Sequence, residues 1–142
     1  MKEKIKAHWL SDLAFEAEVD GHKIYMDSKP EHGGKNTGPR PKPMMMVALA
    51  GCTGMDVASI LKKMRVDIDE LVIEVEGDVS EEHPKRFTAM KVIYKVKGHN
   101  VPREKVEKAV HLSRNNYCGV SANYSKAFPL DHEIIIEETP AD

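Results

Sequence analysis

Cys52 and Cys118 are the two sulfur nucleophiles of the chain, 66 positions apart. A thiolate oxidised by a peroxide becomes a sulfenic acid, and a second thiol close by condenses with it to a disulfide. An external thiol then resets the pair by exchange. This chemistry needs both sulfurs in one place, which sequence separation alone does not supply. The alternative for each is a free cysteine that only packs, because cysteine is among the most often buried residue types. Cys52 lies in Gly51-Cys52-Thr53-Gly54-Met55-Asp56. A helix broken at Gly51 would put Cys52 near the start of a new helical segment, whose backbone N–H groups favour a thiolate. Asp56, one turn on, works against this, since a carboxylate raises a neighbouring thiol pKa unless it points at a cation or the backbone.

Other chemistries find little support. The seven histidines are scattered, none at i, i+4 from another, and neither cysteine has a His or Cys within four residues. No metal site is expected from that spacing. No phosphate-cradling glycine loop and no nucleophile elbow is present, and no cofactor is expected. A net charge of −2 over 142 residues argues against nucleic acid as a partner, which needs a basic surface. No apolar run approaches the roughly 18 residues of a membrane span. The first six residues are charged or followed by charge, with no secretory core after them, so no signal peptide is expected. Two cysteines in such a chain suggest a reducing compartment, with the cytoplasm as the expected location.

The elements that must position the cysteines follow from periodicity. Phe15, Ala17 and Val19 alternate with Glu16 and Glu18, and His22 to Met26 continues strand character across an Asp20-Gly21 turn. Residues 29–43 hold four prolines and three glycines and are expected to form a mobile surface loop. Met44 to Arg65 reads as a helix apolar almost all round, hence buried, with a break near Gly51 or Gly54. Strands are expected at Leu71–Glu76 and Arg86–Val96. A second helix from Pro102 to Tyr117 would turn Val106, Ala109, Val110, Ser113 and Tyr117 to one face and stop at Gly119. Strands at Val120–Tyr124 and Glu133–Glu138 would close the chain. The sum is one α+β domain over residues 1–142, with a mostly antiparallel sheet around a buried central helix.

Val47 through Val57, with Gly51-Cys52-Thr53-Gly54-Met55-Asp56 at its centre and Gly38-Pro39-Arg40-Pro41 before it, joins Tyr117-Cys118-Gly119-Val120 to make a specific combination. It resembles the OsmC/Ohr superfamily, most closely the OsmC-like (YhfA-like) branch, over roughly residues 15–138. The resemblance implies an OsmC-like fold and an intertwined homodimer with sites at its interface. It implies a thiol-dependent peroxidase acting on organic hydroperoxides or hydrogen peroxide, reset by a thiol reductant such as a dihydrolipoyl protein. By motif match Cys52 is the peroxidatic cysteine and Cys118 the resolving one. The family's peroxidases carry an arginine in the N-terminal part and a glutamate about ten positions before the first cysteine. This chain has no Arg before Arg40 and no Glu between Glu31 and Cys52. Arg40 or Lys42 is the candidate substitute cation, and Asp56 and Tyr117 are the other candidate supporting residues. A dimeric module that binds an apolar small molecule without catalysis, and a redox sensor, are the alternative functions.

Overall fold

The computed structural model describes residues 1–140. Two compact units follow one another, residues 1–45 and the chain from Met46 onward. The first holds an antiparallel sheet of β1 (Lys6–Ser11), β2 (Ala14–Val19) and β3 (His22–Met26), in that order. Its β2–β3 hairpin has the expected turn: Asp20 and Gly21 take φ angles of 52° and 80°, and Val19 pairs with His22. β1 escaped the sequence reading because all six of its residues are exposed, leaving no amphipathic alternation to read.

The expected loop is shorter than 29–43 and is tied down. Asp27 accepts hydrogen bonds from the Thr37 hydroxyl (2.6 Å), the Thr37 N–H (3.0 Å), the Ser28 N–H (2.7 Å) and the Lys35 N–H (3.3 Å). Those donors, the Thr37 hydroxyl first, hold its carboxyl down at a pKa of about 2. The loop ends at Arg40, because Pro41 and Pro43 enter the first turn of helix α1 (Pro41–Lys63), where a missing N–H costs nothing.

α1 runs unbroken into the second unit. Gly51 meets nothing a Cβ would touch within 4 Å, so the helix carries it at a small cost in propensity. Gly54 has a packing role instead of a breaking one: a Cβ there would stand 3.1 Å from Ile73 Cγ1. Against the sequence expectation, α1 is long and apolar enough to cross a membrane by length and composition alone, a test that the core helix of a soluble protein also passes. Its burial corrects the expectation of a helix enclosed all round. Leu49, Thr53, Val57 and Leu61, at spacings of four, form one buried stripe, while Val47 and Met55 are exposed.

The stripe shares a core with a second sheet of β4 (Glu70–Val79), β5 (Phe87–Gly98) and β6 (Leu130–Glu138). β4 pairs antiparallel with β5, and β6 pairs parallel with it. Met90, Val92, Tyr94 and Val96 alternate along one buried face of β5. A parallel pair needs a crossover, and the crossover from β5 to β6 is helical. It consists of α2 (Arg103–Leu112), one π-helical turn (Ser113–Tyr117) and α3 (Gly119–Ala127). Val106, Ala109 and Val110 of α2 enter the same core as the α1 stripe.

Four expectations are corrected here, among them the strand expected at Val120–Tyr124. The second helix ends as α-helix at Leu112, not Tyr117. Gly119 begins a helix where a stop was expected, and residues 120–124 are helical, with Val120 and Tyr124 packed one turn apart against the core. Tyr117 leaves the buried face of α2. In the π turn the Cys118 N–H bonds to Ser113 O at 2.7 Å, five residues back. The extra residue rotates Tyr117 outward, where it is 65% exposed, and turns Cys118 inward.

Candidate functional site

Three side chains from α1 and one from the crossover define the site. Thr53 sits on the buried stripe and Cys52 on its flank, half-buried. Asp56 follows Cys52 by one helical turn, on the same side of α1. Cys118 is buried between the π turn and α3, with an extended backbone (φ −77°, ψ 102°) that caps α3. Its Sγ accepts the Ser121 N–H at 3.3 Å, in the role that a serine or aspartate oxygen usually plays at a helix start. The Val120 N–H of the same turn favours the Cys52 thiolate. The thiolate support expected from a break at Gly51 therefore comes from α3 instead of from α1's own backbone.

The two sulfurs are 3.1 Å apart, with the Cys118 S–H directed at Cys52 Sγ. Both thiols are free. A disulfide bond is about 2.05 Å, so bridging asks for about 1 Å of closure. Burial pushes the Cys52 thiol above its ordinary value; the negative charges of an ionised Cys118 and of Asp56 add to the rise, and the Val120 N–H opposes it.

A buried chain of hydroxyls lies behind the sulfurs. The Ser113 hydroxyl donates to Asp56 Oδ2 at 2.9 Å. Ser113 Oγ is 3.1 Å from Thr53 Oγ1, which is 2.7 Å from Tyr94 Oη. Each hydroxyl has one proton, and Ser113 spends its own on the carboxylate. Thr53 therefore donates to Ser113, and Tyr94 donates to Thr53. Burial raises the Tyr94 phenol, and the positive charge of Arg114 on the π turn lowers it. Arg114 also donates to Leu130 O at 2.6 Å and contacts His132. Thr53, Tyr94, Ser113 and Arg114 were not read as site residues. A threonine among apolar neighbours on the α1 stripe was the visible signal.

The structure thus brings Cys52, Cys118 and Asp56 together, one donor atom of each lying within 4.8 Å of the other two. Asp56 and Tyr117 also border a groove of about 630 Å³ that carries Ile60, Met64 and Leu112 with the ammonium groups of Lys63 and Lys108. Arg40 and Lys42 belong to the first unit, at the end of its loop and in the first turn of α1.

The family model described as OsmC-like protein matches residues 33–133. Protein YhfA of Escherichia coli (strain K12) is 34% identical over 133 residues, which are 93% of this chain and 95% of that one. A hypothetical protein from Aquifex aeolicus VF5 has a solved structure similar at a TM-score of 0.86 and 25% identity, over 99% of each chain. The solved organic hydroperoxide resistance protein OsmC of Legionella pneumophila shares the fold at a TM-score of 0.69 and 14% identity, over 95% of this chain and 97% of that one. The α+β fold expected from the resemblance is borne out. The matched segment contains both cysteines, and a relative of one-third identity follows almost the whole chain: this protein belongs to the OsmC family, which includes peroxide-related redox proteins.

Proposed function

We propose that the protein is a thiol-dependent peroxidase for organic hydroperoxides or hydrogen peroxide. Cys52, as thiolate, attacks the outer peroxide oxygen; the O–O bond breaks, the OH group passes to sulfur as a sulfenic acid, and the alkoxide (hydroxide from hydrogen peroxide) takes a proton from solvent and leaves as alcohol or water. The Cys118 thiol then attacks that sulfur, a disulfide forms, and water leaves. A dithiol reductant, such as a dihydrolipoyl protein, takes over the disulfide by exchange and restores both thiols. The observation that carries this reading is the 3.1 Å sulfur pair, with the half-buried Cys52 as the more accessible member. The apolar side chains of the adjoining groove suit the organic part of a hydroperoxide. A pair that must be reset by thiols fits a reducing compartment, and we place the protein in the cytoplasm.

Cumene hydroperoxide in modest excess is expected to consume both thiols of the reduced protein and to leave one intramolecular disulfide, seen as a loss of two hydrogens by mass spectrometry. The rate is expected to rise with pH. The raised Cys52 thiol is scarce as thiolate at neutral pH, and the thiolate fraction grows about tenfold per unit below the pKa. Thiols that persist under these conditions would remove the peroxidase reading. Ligand binding in the groove that survives Cys52→Ser would then favour the apolar-binding module.

A homodimer is part of the same proposal. Trp9, Phe15 and Tyr25 of the first unit are exposed, as are Val47 and Met55 of α1, and a second copy covering them would take that apolar surface out of water. Sedimentation at micromolar concentration is expected to give twice the chain mass; a single-chain mass there would rule the dimer out.

A further inference from the structure

Ser113 holds the Asp56 carboxylate beside the two sulfurs. Two cysteine sulfurs and a carboxylate brought together in this way are a donor set that a thiophilic divalent cation binds. We propose that the reduced pair and Asp56 form a binding site for zinc, with Cys52 Sγ, Cys118 Sγ and one Asp56 oxygen as ligands and solvent in the fourth position.

The distances fit. The three donor atoms already lie within 4.8 Å of one another. Zinc takes Cys sulfur at about 2.3 Å and carboxylate oxygen at about 2.0–2.2 Å, so a tetrahedral site puts its two sulfurs about 3.8 Å apart. The pair, at 3.1 Å, has to open by about 0.7 Å. The groups around the donors are those that metal ligands usually have. The Ser121 N–H bonds to Cys118 Sγ, and the Ser113 hydroxyl fixes the carboxylate oxygen. The half-exposed side of Cys52 gives the ion a way in.

Binding is an exchange of protons for metal: Zn²⁺ displaces one proton from each thiol, and no electron moves. A disulfide requires the sulfurs at about 2.05 Å, so metal and disulfide exclude each other. Oxidation of the pair expels zinc, and bound zinc shields both thiols from oxidants and alkylating reagents. The site holds zinc only in the reduced protein, which couples its occupancy to the redox state of its surroundings.

The test uses the full chain, reduced and kept free of oxygen. Co²⁺ is the spectroscopic probe and Zn²⁺ its competitor. The expected result is one cobalt per chain with thiolate-to-cobalt charge-transfer and tetrahedral d–d bands, both lost on adding zinc. Zinc binding at pH 7 is expected to release about two protons per ion. Asp56→Asn, nearly isosteric, is expected to weaken zinc binding by about 10–100-fold. Wild-type protein oxidised with diamide is expected to bind none at this site. Zinc affinity unchanged in the disulfide form, or in Cys118→Ser, would assign the ion to surface histidines and overturn the proposal. Absence of a thiolate–cobalt band, or an affinity that Asp56→Asn leaves intact, overturns it equally. None of these readouts uses a peroxide, so the metal site and the peroxidase reading fail separately.

Discussion

Cys52→Ser is expected to remove peroxide consumption by roughly 1000-fold or more, because a serine hydroxyl at that depth supplies no anionic nucleophile at neutral pH. The paired variant Cys118→Ser is expected to behave differently. Its Cys52 still meets peroxide, but no neighbouring thiol condenses with the product. One equivalent of peroxide is then consumed per chain and a sulfenic acid accumulates, trapped by dimedone on the Cys52 peptide. Further peroxide carries it on to the sulfinic state. The geometry sets this order of events: Cys118 is 3% exposed and capped into α3, whereas Cys52 is half-buried and receives the S–H of its partner. The reverse pattern, with dimedone trapping on Cys118 in Cys52→Ser, would exchange the two roles. Stopped-flow consumption of cumene hydroperoxide, with mass mapping of the adduct, distinguishes the outcomes.

The sulfur pair was legible because the segments around Cys52 and Cys118 resemble a family pattern. The 65 intervening residues gave no physical sign that the two would meet. The β2–β3 hairpin was legible from Asp20-Gly21, a local signal with a local cause. Two kinds of feature were not. The π turn inserts one residue into a helical period, so a face drawn through Val106, Val110, Ser113 and Tyr117 is right up to Ser113 and wrong after it. Past that turn Cys118 caps a helix with sulfur, and Gly119, the commonest sign of a helix end, starts one. The site's polar groups were hidden by distance: Thr53 meets Tyr94 and Ser113 across 41 and 60 positions. Asp56 is local to Cys52, and a spacing of four on one helix places its carboxylate one turn from the thiol.

Thr53→Val is expected to destabilise the protein while leaving both sulfurs in place. Valine matches threonine in shape, so the α1 stripe keeps its packing and only the hydroxyl is lost. That hydroxyl is the middle of a directed chain running from Tyr94 through Thr53 and Ser113 to Asp56. Without it the Tyr94 hydroxyl, on a fully buried side chain, has no acceptor, and Ser113 loses its donor. A buried donor left unpaired costs about 1–3 kcal/mol. For a chain of this length that corresponds to a drop in Tm of roughly 2–4 °C per kcal/mol. Tyr94→Phe removes the first donor instead of the middle link. Thr53 keeps its proton for Ser113, no donor is stranded, and the expected cost is nearer 1 kcal/mol. The chain's direction therefore predicts the order: Thr53→Val melts below Tyr94→Phe, and Tyr94→Phe below wild type. Thermal unfolding followed by far-ultraviolet circular dichroism reads that order directly. Equal melting of the two variants would mean that Tyr94 finds another acceptor when Thr53 is gone, and that the hydroxyls act separately and not as one chain.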